Sequence, residues 1–213
     1  MPVFTTEGVI VKRLNFGEAD RILTVVTPFK GKIRVLAKGV RRITSRRGGN
    51  VELLNRVKMQ VFKGQGMNIL TEAESLQTFP KIKGDLMLSS YGSHLAEIAE
   101  RLLPEEQMNP GAYELLATIL TLLEKAPRQI FIRAFEVKLL TLLGFWSLDQ
   151  IGEVGEVKGV LEKLQKGSWE EIGKLEIGKN QALELERILR YYIEKILESP
   201  LRSLEVIRKI KEG

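Results

Sequence analysis

At 213 residues the chain has room for one large domain or two small ones, and a hydrophobic content of 44% excludes a disordered chain. The absence of cysteine excludes disulfides and thiolate metal sites. The formal charge of +6 is one-sided: residues 1–80 carry 14 Lys and Arg against 6 Asp and Glu, a net of +8, and the remainder nets −2, which points to a polyanionic partner for the first part alone.

The first 80 residues read as β-structure. Gly8 to Leu14 is a β-branched run, and Arg21 to Thr27 is another, closed by Pro28. Lys30-Gly31-Lys32 supplies a turn. Lys32 to Lys38 alternates, with Ile33, Val35 and Ala37 on one face and Lys32, Arg34 and Lys38 on the other. Arg56 to Lys63 alternates too, with Val57, Met59 and Val61 inward, and Gly64 and Gly66 turn the chain into Met67 to Glu74. Five short strands at tight spacing predict a closed or nearly closed small barrel, because closure removes sheet edges.

Beyond Phe79-Pro80 the period becomes helical. Ile82, Leu86, Tyr91, Leu95, Ile98 and Leu102 mark one helix, ended by Pro104. Asn109-Pro110 starts a second, with a capping side chain before a first-turn proline. Pro127 opens a third, running through Phe135 and Leu142 to a Gly144 cap. Two more are expected from about Asn180 to Leu197 and from Pro200 to Lys211. Residues 145–178 are Gly-rich and hold two short helix-like pieces, VKGVLEKLQK and SWEEIGKL. The second half is therefore expected to be an α-helical bundle.

No apolar run approaches the ~18 residues of a membrane span. The N-terminal MPVFTTEGVIVKRL lacks the charged start and long apolar core of a signal peptide, so a cytoplasmic protein is expected.

The densest chemical signal is cationic. Lys38, Arg41, Arg42, Arg46 and Arg47 lie within ten residues, and Lys32 and Arg34 sit on the polar face of the strand leading in. A loop this charged repels itself unless an anion is present; Arg offers phosphate a bidentate fork and Lys a point charge. Phosphate-backbone binding is the expectation, with Arg21 and Lys58 as weaker candidates. Charge alone does not separate DNA from RNA, nor exclude a scaffold whose basic loop meets an acidic protein surface. Among aromatics that stack bases in single-strand binders, Phe16 and Phe29 are expected to be packing residues; Phe62, on the polar side of its strand, is open.

Catalytic signals are weak. His94 is the single histidine and makes no persuasive metal site. Glu18 and Asp20 fit turn formation and pairing with nearby Arg better than acid–base work. Neither a phosphate loop nor a GxGxxG followed by a helix occurs. An enzyme is not expected, nor a cofactor, a small-molecule substrate or a metal.

TEGVIVKRLNFGEADRILTVVT, KGKIRVLAKGVRR, ILTEAE and GFWSLDQ resemble the RecO family of bacterial recombination mediators, most specifically in the spacing of GEADRILT and AKGVRR. The resemblance implies an α+β protein with an N-terminal OB-fold over 1–79 and a helical domain over 80–213. It implies binding of single- and double-stranded DNA, annealing of complementary strands, and cooperation with RecR to load the RecA recombinase onto strands coated by single-stranded-DNA-binding protein. The implied location is the bacterial cytoplasm, on the nucleoid. Many family members carry a four-cysteine zinc module after the position of GFWSLDQ. Residues 149–178 hold neither Cys nor His, so zinc is not carried over and 145–178 is expected to be a metal-free replacement.

Overall fold

The computed structural model describes residues 3–147 and 157–212. Strands β1 (Val3–Phe16), β2 (Asp20–Thr27), β3 (Gly31–Ala37), β4 (Arg56–Phe62) and β5 (Asn68–Gln77) form a closed barrel in the order β1-β2-β3-β5-β4. Closure depends on the length of β1. It pairs with β4 from Val3 to Val9 and with β2 from Val9 to Phe16, shifting register at a bulge between Ile10 and Lys12. The strand begins five residues before the predicted Gly8 because this first half finds its partner in β4, far away in sequence. A bulge bends a strand and increases its twist, which lets one strand serve both sides of a barrel.

The alternation read from sequence sets the interior. Ile33, Val35 and Ala37 of β3 meet Val57, Met59 and Val61 of β4 inside the barrel, with Ile10, Leu23, Val25 and Leu70. Val9, Val11 and Val26 point out of the barrel and join the helical core instead. Both faces of β2 are thus buried at its end, which is why RILTVVT reads as a continuous apolar run rather than an alternating one.

The helices are α1 (Pro80–Gly84), α2 (Leu86–Leu102), α3 (Pro110–Lys125), α4 (Gln129–Leu142), α5 (Lys158–Lys166), α6 (Trp169–Gly173), α7 (Lys179–Leu197) and α8 (Arg202–Glu212). The first predicted helix is two: Asp85 is extended and its side chain accepts from Leu88 N, capping α2. Asn109 caps α3 in the same way, from Ala112 N. The short pieces of 145–178 are α5 and α6, with Leu161, Leu164 and Ile172 buried. Residues 148–156, including the end of GFWSLDQ, lie outside the described residues. Among the described residues no helix is long and apolar enough to cross a membrane, and no group of three or more His, Asp or Glu is placed to hold a metal ion.

Barrel and bundle are joined by polar contacts around the shared apolar patch. Arg56 Nη2 donates to Glu7 at 2.9 Å and its Nε to the Tyr113 hydroxyl at 2.9 Å. Burial pushes the Tyr113 phenol up to about 12, although Arg56 works the other way. Lys12 pairs with Glu100 at 2.8 Å. Gly31 sits at φ +68°, and a Cβ there would lie 2.3 Å from the Gln107 carbonyl oxygen, so only glycine lets the α2–α3 connection lie against the barrel.

The last helix is held from outside itself. The Glu97 carboxylate of α2 accepts from Arg202 N at 3.0 Å and Ser203 N at 2.8 Å, covering the free amides of α8's first turn. Burial would raise the Glu97 pKa, but hydrogen bonds from Ser203 and Arg202 and the Arg101 charge outweigh it and hold the carboxyl below its ordinary value. A depressed folded pKa stabilises the fold above the unfolded value of about 4.3 and loses that contribution as pH falls through the folded value. Protection of the α8 amides, relative to their intrinsic exchange, is therefore expected to fall as pH drops below the unfolded value of about 4.3, ahead of protection in α3. Glu97→Gln should show fast α8 exchange already at neutral pH. Simultaneous loosening of α8 and α3 in the wild type would refute a local role for Glu97.

Candidate nucleic-acid interface

Residues 38–55, between β3 and β4, fold as successive turns across one end of the barrel. Gly39, at φ +68°, starts the loop, and its N–H donates to Asp20 Oδ1 at 2.7 Å. Arg42 N donates to Gly39 O at 3.2 Å and Ser45 N to Arg42 O at 2.9 Å. Val40 and Val51 plug into the barrel core. Asn55, fully buried, holds the loop's return through Nδ2 to Gly49 O at 3.1 Å and Asn50 O at 2.9 Å. The β1–β2 turn is tied to the same loop, because Arg41 N donates to Ala19 O at 2.9 Å and Arg41 Nη1 to Gly17 O at 3.2 Å.

These contacts shape a basin of about 550 Å³, lined by Asp20, Lys38, Gly39, Arg42, Thr44, Ser45, Arg46 and Arg47. Asp20 is its single acid, and one of that carboxylate's oxygens already accepts from Gly39. Lys38, Arg42 and Arg46 are exposed. Arg41 is exposed as well, with its guanidinium only partly engaged on Gly17. Arg34 stands exposed further down the outer face of β3, four residues from Lys38 and so about 13 Å away along the strand.

The other candidates have structural work. Arg47 is a staple: Nη1 donates to the carbonyls of Leu70 at 3.0 Å and Thr71 at 3.1 Å, and Nη2 to that of Lys38 at 3.0 Å. It fastens the loop to β5 and shows the basin its edge. Arg21 is bound to Glu52 at 3.0 Å, and Arg13 shares that carboxylate. Lys58 lies outside the basin, on β4 between Glu7 of β1 and Glu74 of β5 in register, where acids flank it. Lys32 is elsewhere altogether. It is 8% exposed beneath the helical half, its ammonium donating to the Glu100 carbonyl and its own carbonyl accepting from Glu106 N at 2.9 Å. Burial pushes its pKa down, against the carboxylates of Glu100 and Glu105. The outer face of β3 was read correctly; its far end is covered by the α2–α3 connection.

Phe16 and Phe29 are not packed as expected: they are 52% and 68% exposed. Phe62 is half-buried, in register with Val3 and Ile69. Ile43, at the outer turn of the basic loop, is wholly exposed, and nothing in its sequence context signalled that.

His94 is in the helical core. Its Nε2 lies 2.6 Å from Glu136 Oε1 and its Nδ1 2.9 Å from Ser203 Oγ, and Arg133 donates to the same Glu136 at 2.8 Å. The order Ser–His–Glu is that of a nucleophile relay. With His94 at 0% and Glu136 at 1% exposure no substrate atom reaches the ring, and the cluster serves to pin α2, α4 and α8 together. Arg133, bonded to Glu136, is 4% exposed and meets a separate cavity beside Arg128, and Lys138 is engaged with the carbonyls of Gln165 at 3.0 Å and Gly167 at 2.8 Å. Glu18 is exposed on the β1–β2 turn.

A five-stranded barrel of this strand order, with a cationic loop between β3 and β4 and backed by a helical bundle, defines an OB-fold protein with an appended helical region. The family described as recombination protein O matches twice, its N-terminal part over residues 1–79 and its C-terminal part over 83–149. Proteins named DNA repair protein RecO are similar along most of the chain. That of Roseiflexus sp. is 30% identical over 99% of this chain and 87% of its own length, and that of Dehalococcoides mccartyi strain BAV1 is 30% identical over 94% and 93%. That of Symbiobacterium thermophilum is 33% identical over 68% of this chain, and the match spans 58% of that protein. The chain belongs to the RecO family of DNA repair proteins.

Proposed function

We propose that the chain is a non-enzymatic recombination mediator that binds single- and double-stranded DNA, anneals complementary strands, and with RecR helps to load the RecA recombinase onto strands coated by single-stranded-DNA-binding protein. The observation that carries this reading is the basin, where Lys38, Arg42 and Arg46 are exposed with Asp20 as the one acid lining it; Arg41 is exposed on the same loop, and Arg34 stands about 13 Å along β3 from Lys38. Lys32, Arg21, Arg47 and Lys58 are left out, because each is buried, bonded or flanked by acids. Holding two strands on such a surface neutralises their mutual repulsion, and annealing needs no chemical step beyond that. Family membership supports the recombination setting, on the nucleoid in the cytoplasm. Residues 1–79 then form the DNA-binding domain and 80–213 the helical domain, with α5 and α6 taking the position of the zinc module found in other members.

A salt titration tests the reading. Five phosphate contacts predict that log affinity for a single strand falls with log salt at a slope of about −3.5. Fluorescence anisotropy of a labelled oligonucleotide between ~50 and ~300 mM salt measures it. A slope near zero removes the electrostatic site.

A further inference from the structure

Phe16 ends β1 directly opposite Asp20 of β2 in the register. Directly opposed residues project from the same face with Cβ atoms roughly 5 Å apart, and Asp20 lines the basic basin. The Phe16 ring, 52% exposed, therefore stands at the basin's rim. It is not on a free arm: the turn after it is bonded to the basic loop through Ala19 and Gly17, and Asp20 is bonded to Gly39. Ile43 of that loop is wholly exposed beside the same cations.

Scattered apolar side chains on a surface need no explanation, but an aromatic fixed at the edge of a cationic basin has a chemically defined complement. A single strand presents its phosphates and, one sugar away, the open π-faces of its bases. A duplex presents the phosphates and keeps those faces stacked inside. We infer that Phe16 is a nucleobase-stacking platform, with Ile43 as a second apolar contact, taking an unpaired base while the neighbouring phosphates lie in the basin. The site rests on the DNA-binding reading above and adds to it a preference for unpaired strands, which phosphate contacts alone do not provide.

Phe16→Ala in the full chain is expected to weaken binding of a single-stranded oligonucleotide about tenfold, leave a duplex of equal length within about twofold, and leave the salt slope unchanged, because no charge is lost. Phe16→Trp should restore single-strand affinity. Its added emission, beyond that of Trp146 and Trp169 in the wild type, should be quenched by single strands and not by duplex. An oligonucleotide lacking its bases should bind wild type and Phe16→Ala alike. Equal losses on single strand and duplex, an unquenched Phe16→Trp, or no loss at all would each overturn the stacking role. If the slope holds near −3.5 while Phe16→Ala is silent, the stacking falls and the phosphate site stands. A flat slope in the wild type removes both.

Discussion

Replacing Lys38, Arg41, Arg42 and Arg46 together by Ala is expected to lower single-strand affinity by two to three decades at ~0.1 M salt and to cut the salt slope from about −3.5 to about −0.7. Each phosphate contact releases about 0.7 of a counterion from a single strand, so four lost contacts carry nearly three powers of ten at that salt. Arg34, the fifth cation, is left in place and sets the residual slope. The loss should be the same for unrelated sequences, because phosphates carry no base information. Folding should be intact, since the four side chains are exposed and Arg41's tie to the β1–β2 turn keeps its backbone half, the amide on Ala19. Anisotropy on three unrelated oligonucleotides, with a thermal melt as control, decides the matter. A loss confined to one sequence would mean base readout, and unchanged affinity would put the DNA site elsewhere on the chain.

Arg47 stays in that variant because it holds the loop to β5, a role its place in the sequence does not signal. Arg46 and Arg47 are adjacent members of one basic run, chemically identical, and neither has an apolar neighbour in sequence. What separates them is β5, whose Leu70 and Thr71 carbonyls come within 3.1 Å of the Arg47 guanidinium only after the barrel closes. Lys32 and Arg34 differ in the same manner. The period-two pattern put both on the outer face of β3, correctly, yet no local feature says that residues 103–107 cover one and not the other. Local signals did place the barrel interior, since alternation is a property of the strand itself, and they located the starts of α3 and α7 to within a residue or so. They failed where a distant group replaces a local one. Ser199-Pro200 reads as a helix start, but α8 begins at Arg202, because Glu97 caps it from α2 and Arg101 binds the Ser199 hydroxyl. The exposure of Phe16 belongs with these cases: a Phe before a Gly turn gives the same sequence whether it packs or not, and only closure of the loop over the barrel end leaves the ring outside.

Glu136→Ala is expected to be the most damaging single substitution for stability, at about 3–5 kcal/mol. Glu136 is 1% exposed and is the carboxylate on which two other buried groups converge, Arg133 at 2.8 Å and His94 at 2.6 Å. Arg133 cannot shed its proton, and its Nε already lacks a hydrogen-bond partner. Removing Glu136 therefore leaves a full cation in the helical core with no acceptor, and strips the His94 ring of the group opposite Ser203. The cost comes from the uncompensated charge more than from any net attraction in the pair, which gives a second expectation. Replacing Arg133 by Met in the Glu136→Ala background should recover part of the loss, as the charge and its desolvation disappear together. For a chain of this size the single variant should melt roughly 6–20 °C lower. Folded protein at low temperature should still bind DNA normally, since the cluster lies in the helical half and the basin on the barrel. Denaturation of wild type, Glu136→Ala and the double variant measures all three. A loss below ~1 kcal/mol would mean that Arg133 reaches water when its partner is gone, so that the cluster is not closed. A double variant no more stable than the single one would mean that the cost lies in the His94–Glu136 contact and not in the buried cation.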